Sequence, residues 1–259
     1  MNPSTPAPLL LPDERLDEVN EHLRLIQKKK GLTFGTDAFL LAAYVKSSSR
    51  SRAVELGGGT GIVSLLLAAR NKLGSITAVE IQDAFSSLIE RNAALNGLSE
   101  KVRALCSDVR ALTPQMLGGE VDLVLSNPPY MRTDSGKQNV EDEKYIARHE
   151  VCGGIFDFCA SASKILRFGG KFVCVWRPDR LSELFSALAS AGLEPKRMTM
   201  VHADLDAEPC MVLLESVKGG APAMRLSPPL ILYEPRQEGE KSRVLTEKAK
   251  RIYSTCSFE

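Results

Sequence analysis

From residue 52 onward, short apolar runs alternate with segments of helical spacing, and this alternation restricts the fold more than any other property of the chain. Strand-like runs lie at 52–56 (RAVEL), 75–80 (SITAVE), 102–106 (VRALC), 121–125 (VDLVL), 170–176 (GKFVCVW), 194–202 and 209–216. Helical patterns lie at 62–72, 83–96, 153–167 and 179–191, with a short turn at 114–117. Strands that alternate with helices form a mostly parallel sheet, because each parallel crossover has to carry the chain back along the sheet. The last two runs are joined only by ADLDAE, so they read as a hairpin that makes one edge strand antiparallel. The expected architecture is α/β, a seven-stranded and mostly parallel sheet with helices on both faces and an antiparallel edge hairpin.

The flanks are less regular. Residues 1–12 carry four prolines and read as a loose lead-in. Residues 14–30 place Leu16, Val19, Leu23 and Ile26 at helical spacing and end in Lys28-Lys29-Lys30-Gly31. That pattern predicts an amphipathic helix with cations at its C-terminus and a glycine stop. The lysines read as a solvated helix end, with a phosphate contact as the alternative. A second helix is expected over 35–46, capped by Thr36 or Asp37, with Phe39, Leu40 and Ala43 facing inward. Residues 218–232 read as loop, and a weak helical pattern returns at 243–253. Three parts are expected: an N-terminal extension and helix over 1–30, the main domain over 31–217, and a C-terminal segment over 218–259.

With 44% hydrophobic and 25% charged residues, the 259-residue chain has the ordinary globular balance. Its formal net charge of +1 argues neither for nor against a nucleic-acid partner, so any basic surface must be local. The six cysteines form no CxxC pair, which speaks against structural zinc and a disulfide framework. Cys106 and Cys174 sit in apolar runs and read as small core residues. His22 and His202 read as surface or half-buried residues, and Trp176 as core. No stretch reaches the ~18 to 20 apolar residues of a membrane span, and no signal-peptide pattern opens the chain. A reducing cytoplasm is expected.

The first strand–helix turn reads AVELGGGTGIVSL, with Gly57, Gly59 and Gly61 at alternate positions. Glycine there permits a tight turn and close backbone approach to a ligand. Glu80 ends the next strand, roughly the ~20 residues downstream where a ribose-binding carboxylate is expected. Glu55 stands two residues before the loop, where an acid would repel a pyrophosphate but suit a cation. S-adenosylmethionine has no phosphate and carries a sulfonium and an ammonium, so the charges choose it over a dinucleotide. Asp108, after the third strand, can accept from an adenine amino group or cap a turn.

The fourth strand ends in SNPPY, residues 126–130. Proline lacks an N–H and holds the preceding residue extended, so Asn127-Pro128-Pro129 is a stiff corner with carbonyls left to accept. This corner resembles the NPPY motif of amino-methyltransferases, whose target is an exocyclic amino group, a poor nucleophile because its lone pair is delocalised. The resemblance implies two rigid acceptors, the Asn127 side-chain oxygen and the Pro128 carbonyl, which would localise that pair with little reorganisation. It also implies Tyr130 as a stacking face for a flipped base. The long loop beyond it holds Arg132, Arg148 and His149, read either as lid residues against substrate or as solvated loop. No Cys/His cluster accompanies His149, so no metal is expected.

Taken in order, ELGGGTG, AVEIQ, CSDVR and SNPPY resemble the successive motifs of the Rossmann-like, class I S-adenosylmethionine-dependent methyltransferases, over roughly residues 30–217. NPPY is similar to the branch that methylates a planar amino nitrogen: adenine N6, cytosine N4 or a glutamine amide. More narrowly, FGTDAFLLAAYV and the PPLILYE ending resemble the bacterial tRNA(Val) (adenine-N6) methyltransferases. That resemblance implies an RNA substrate, a tRNA near its anticodon, and places Thr36 and Asp37 in the cofactor pocket. The alternatives are a protein glutamine N5-methyltransferase, a DNA amino-methyltransferase, and a non-enzymatic RNA-binding scaffold. The first usually carries a separate N-terminal helical domain and the second a target-recognition domain, and neither is visible in the sequence.

Overall fold

A computed structural model of the chain describes residues 10–30, 35–129, 153–235 and 243–258. In chain order its strands are β1 (Glu14–Asn20), β2 (Leu23–Lys28), β3 (Ser48–Leu56), β4 (Leu73–Glu80), β5 (Val102–Cys106), β6 (Val121–Ser126), β7 (Leu166–Trp176), β8 (Leu193–His202), β9 (Pro209–Lys218), β10 (Arg225–Leu226) and β11 (Leu230–Ile231). The helices are α1 (Thr36–Tyr44), α2 (Ile62–Ala69), α3 (Asp83–Leu95), α4 (Ile155–Ile165), α5 (Leu181–Ser190) and α6 (Glu247–Thr255).

The central sheet runs β10-β8-β9-β7-β6-β3-β4-β5, with β11 also paired to β8. Pairings from β7 through β6, β3 and β4 to β5 are all parallel, and β9 is antiparallel to both β7 and β8. The seven expected strands are therefore present, but the sheet has nine. The two extra strands are two-residue pieces of the 218–232 segment, held by parallel pairing to β8 and too short to give a sequence pattern. The hairpin lies at the sheet edge as expected. Its reversed strand, β9, is nonetheless interior, inserted between β7 and β8.

Alternate residues of each central strand serve opposite cores. Leu123, Leu125, Val173 and Val175 join Leu40, Leu41, Leu65 and Leu67 on the side of α1 and α2. Val124, Phe172, Cys174 and Trp176 join Phe158, Ile165, Leu184 and Leu188 on the side of α4 and α5. A strand buried on both faces loses the polar alternation of a half-exposed one, which is why these strands read as unbroken aliphatic runs. Trp176 is core, as expected, at 1% exposure. Cys174 is buried, but Cys106 is exposed, because β5 is the outer strand of the sheet.

The expected helix over 14–30 is instead the antiparallel hairpin β1–β2. Its apolar residues do face inward, but against α3, where Leu16 and Ile26 meet Phe85 and Leu88. Two asparagines, Asn92 of α3 and Asn96 that caps its C-terminus, satisfy the hairpin's outer backbone edge. Asn92 accepts from Ile26 N (2.7 Å) and donates to Ile26 O (3.1 Å), while Asn96 accepts from Arg24 N (2.9 Å) and donates to Arg24 O (2.7 Å). Arg91 grips the buried Glu14 through both carboxylate oxygens, at 2.7 and 2.8 Å. These tertiary contacts override the helical spacing. Of the lysine run, Lys28 pairs with Asp13 at 2.8 Å and Lys29 donates to Pro12 O at 2.9 Å.

The weak helical pattern near the C-terminus becomes α6, which packs on α1. Among the described residues no helix is long and apolar enough to cross a membrane. The buried Lys72 ammonium ties three pieces together by donating to Ala42 O (2.9 Å), Ala43 O (3.2 Å) and Cys256 O (2.8 Å). Lys72→Met keeps the stem but strips three carbonyls of a charged donor, and each such bond contributes roughly 1.5–3 kcal/mol. Urea unfolding is expected to show a loss of about 2–4 kcal/mol with the slope unchanged. A loss below about 0.5 kcal/mol would mean that the carbonyls find water instead.

Candidate active site

Parallel register brings the strand ends level. Leu56 of β3 lies beside Val79 of β4 on one side and Ser126 of β6 on the other, and Glu80 lies beside Cys106 of β5. Residues just past these ends therefore share one edge of the sheet, the C-terminal edge at which open α/β sheets bind ligands. The buried Ser126 hydroxyl donates to Leu56 O at 2.8 Å and locks the β3–β6 exit.

The glycine loop leaves β3 in a tight turn. Gly57 N and Gly58 N both donate to Val79 O at 2.9 Å. Gly57, Gly59 and Gly61 have φ of 74°, 54° and 82°, a region in which side chains are strained. Gly61 caps α2, and a Cβ there would also stand 3.2 Å from Ile89. At Gly59 nothing lies within 4 Å of such a Cβ, so the loop is open toward its outer side at this point.

Two buried acids lie under and beside this loop. Glu80, 6% exposed, accepts from Gly59 N (2.9 Å) and Gln82 N (3.0 Å), one bond to each carboxylate oxygen. The Ile81 N–H and the Gln82 side chain also favour its charged form, so the carboxylate is fixed in place by the turns on either side of it. Burial pushes the Glu80 carboxyl above the usual range. Glu55, 2% exposed, is turned beneath the loop rather than standing at its mouth. Its Oε2 accepts from Ser64 N at 3.1 Å and from the Ser64 hydroxyl. Burial, with the Glu80 charge adding to it, pushes Glu55 up to about 7.

Asp108 caps the short 3-10 turn Val109–Ala111, accepting from Arg110 N at 2.9 Å. The Arg110 side chain holds both of its oxygens and keeps its carboxyl below the usual range. The capping role open to it in the sequence is thus realised at the end of β5, and its carboxylate lies on the same sheet edge as Glu80.

On the other side of the loop, Asn127 follows β6. Its Nδ2 donates to Asp37 Oδ2 at 2.8 Å, while its buried Oδ1 has no hydrogen-bond partner among the described residues. A cavity of about 800 Å³ opens here, lined by Thr36, Asp37 and Asn127 together with the end of β7 and the turn after it (Val175 to Asp179) and the entry to β9 (Glu208 to Met211). A cavity of that size suits a small ligand or a flipped base. Strand order thus separates two regions. The glycines and acids stand over β3, β4 and β5, the cavity stands over β7 and β9, and Asn127 stands between them. Pro128 is buried and Pro129 half-buried beside it. Tyr130, Arg132, Arg148 and His149 lie outside the described residues.

Three contributors escape a reading of the sequence alone. Ser64, which holds Glu55, is a polar residue on the otherwise apolar α2, and that contrast is a usable signal. Gly35 is needed because a Cβ there would approach Asp37 Oδ1 to 2.8 Å. Tyr253 of α6 packs on Phe39 of α1 with ring centroids 5.5 Å apart, a pairing with no local trace. Among the described residues no group of His, Cys, Asp and Glu is arranged to hold a metal ion.

An open glycine turn over buried carboxylates, with no lysine or arginine in the loop, suits a ligand that is cationic and phosphate-free. The chain matches the methyltransferase small domain family over residues 28–189 and belongs to it. It is an S-adenosylmethionine-dependent methyltransferase. It is 29% identical to a tRNA1(Val) (adenine(37)-N6)-methyltransferase of Bacteroides fragilis strain YCH46 over 227 residues, 87% of each chain. To the protein of the same name from Phocaeicola vulgatus it is 30% identical over 184 residues, 70% of this chain and 74% of that one. A solved structure of a predicted O-methyltransferase from Agrobacterium tumefaciens is similar with a TM-score of 0.67 at 21% identity, covering 86% of this chain and 98% of that one. The last likeness bears on the fold, which is Rossmann-like.

Glu55 gives the site a pH signature. Its carboxyl is raised in the folded state, from 4.5 to about 7, so its contribution to stability is complete below about pH 4.5 and is lost as pH rises through about 7. Glu55→Gln removes this loss, which amounts to roughly 3 kcal/mol. Between pH 5 and pH 8, the wild type should lose about 2–3 kcal/mol of unfolding free energy relative to Glu55→Gln, read by urea denaturation. Parallel pH profiles for the two proteins would show that Glu55 stays ionised throughout.

Proposed function

We propose that the chain transfers a methyl group from S-adenosylmethionine to N6 of an adenine in tRNA near the anticodon, and that it works in the cytoplasm. The observation that carries this reading is the buried Asn127 Oδ1, an acceptor without a donor among the described residues, at the boundary between the glycine–acid region and the cavity. The names of the relatives point to adenine in tRNA among the amino nitrogens that NPPY serves.

S-adenosylmethionine supplies a methyl group activated on a sulfonium. Gly57, Gly59 and Gly61 form the backbone cradle, and the Glu80 carboxylate takes the ribose hydroxyls. Glu55 supplies negative charge from beneath the loop. Asp108 is assigned to the adenine end, and Thr36 and Asp37 to the wall shared with the cavity. The target amino group enters from the cavity side. The Asn127 side-chain oxygen and the Pro128 carbonyl accept its two hydrogens, which localises the nitrogen lone pair and disperses the positive charge that develops on it. As the N–C bond forms the methyl–sulfur bond breaks, and the sulfonium becomes a neutral thioether. The methylated nitrogen gives up one of its two hydrogens as a proton to water, so that positioning carries most of the rate. Tyr130 is assigned to stacking on the base, and Arg132, Arg148 and His149 to contacts with the RNA.

Incubation with methyl-labelled cofactor and separate pools of tRNA, genomic DNA and protein extract, followed by nucleoside and amino-acid analysis, tests the proposal. Label is expected as N6-methyladenosine in tRNA. Label only in glutamine or in another nucleoside would overturn the assignment. Asn127→Ala should lower kcat by ~10²- to 10³-fold with little change in KM, because the lost interaction strengthens in the transition state. Glu80→Ala should weaken cofactor binding by roughly tenfold to a hundredfold in calorimetry, since a charge-assisted hydrogen bond contributes ~1.5–3 kcal/mol. An unchanged dissociation constant in a folded Glu80→Ala protein would remove Glu80 from the cofactor site.

A further inference from the structure

Asp37 is read from the sequence as a cofactor-pocket residue, but its contacts lead elsewhere. Its Oδ1 accepts from Ala38 N at 2.9 Å in the first turn of α1, and its Oδ2 accepts from Asn127 Nδ2 at 2.8 Å. Several features hold it there. Gly35 clears the space beside Oδ1, which a Cβ would approach to 2.8 Å. Phe39, two residues on from Asp37, packs on the Tyr253 ring with centroids 5.5 Å apart, so α6 braces the start of α1. Asp37 is also in the first turn of α1, where the helix favours negative charge.

A carboxamide has one accepting end and one donating end, and the two orientations are nearly isosteric. Only one presents an acceptor to the target nitrogen. A carboxylate can accept but has no proton to give, so it accommodates only the orientation in which the Asn127 NH₂ faces it. The oxygen is thereby directed away from Asp37, and among the described residues it has no hydrogen-bond partner.

We infer that Asp37 is the positioning residue for Asn127, fixing its carboxamide so that Oδ1 and not Nδ2 meets the target amino group. The inference rests on the reading of Asn127 Oδ1 as the acceptor for that group. It shifts Asp37 from binding the cofactor to orienting the residue that touches the substrate.

Substitution by asparagine separates this role from a merely structural one. In Asp37→Asn, the residue at 37 must turn its own oxygen to Ala38 N, which leaves its NH₂ facing Asn127. Asn127 then turns its oxygen inward to accept and presents NH₂ to the substrate. The expected result is a kcat lowered by ~10²-fold, with the cofactor dissociation constant and the RNA KM within about threefold of wild type. In an Asn127→Ala background, Asp37→Asn should have no further effect on kcat, because its target is gone. The swap is more telling. Asn127→Asp alone sets two carboxylates against each other. Adding Asp37→Asn restores a donor–acceptor pair with an oxygen left outward, so the double variant should recover kcat by roughly tenfold or more over Asn127→Asp.

If Asn127→Ala lowers kcat but Asp37→Asn does not, or if the swap recovers nothing, the positioning role is wrong while the acceptor reading stands. If Asn127→Ala is itself near wild type, the acceptor reading falls and the positioning role with it. A cofactor affinity that drops in Asp37→Asn as steeply as kcat returns Asp37 to the cofactor pocket. Should Asp37→Asn fail to fold alone, the comparison of the swap with Asn127→Asp decides the matter by the same criterion.

Discussion

The parallel pairing of β3 with β6 is the constraint on which the rest of this site depends. It places Leu56 beside Ser126, and the Ser126 hydroxyl bonds the Leu56 carbonyl at 2.8 Å. The glycine loop that begins at Gly57 and the stiff corner that begins at Asn127 therefore leave the sheet next to each other. A slip of one residue would turn every side chain of β6 to the opposite face, taking Leu123 and Leu125 out of one core and Val124 out of the other. The two buried cores thus hold the register, and the register holds the chemistry in place. Rigidity matters here, since misplacing reacting groups by about 1 Å can cost ~10²-fold in rate.

Electrostatics divides the sheet edge. Glu55 and Glu80 are both buried under the loop, and burial raises both carboxyls. Such acids are costly to the empty fold and favourable once a cation lies against them. The same charge makes the loop inhospitable to pyrophosphate, which needs free N–H groups and a positive helix end. On the far side of Asn127, the walls of the cavity come from β7 and β9, strands that contribute neither glycine loop nor acid to the near side. One side suits a sulfonium and an ammonium, the other a planar ring carrying an amino group.

Much of this was legible because its causes are local. Strands buried on both faces read as aliphatic runs, so β4, β5 and β6 fall within a residue or two of their expected places. Glycines at positive φ and the Asn127-Pro128-Pro129 corner announce themselves through the conformations that only those residues take. The hairpin β1–β2 escapes a sequence reading because Leu16, Val19, Leu23 and Ile26 fit helical spacing, while the reason for the strands lies in Asn92 and Asn96, 66 and 72 positions from their partners. The Asp37–Asn127 bond spans 90 positions. Each residue was singled out, yet their pairing depends on how α1 meets the end of β6, which no local pattern encodes. Glu55 shows the same limit. Its place in the motif was plain, but its inward turn to Ser64 required the packing of α2.

The central claim is that Asn127 and Pro128 together hold the two hydrogens of the target amino group. The most direct measurement is a crystal structure of the protein bound to a non-transferring cofactor analogue and a tRNA fragment carrying the target adenine. The account predicts the adenine flipped into the cavity, with N6 about 2.7–3.2 Å from both Asn127 Oδ1 and the Pro128 carbonyl oxygen. An adenine stacked in the same cavity with N6 directed away from both oxygens would contradict it.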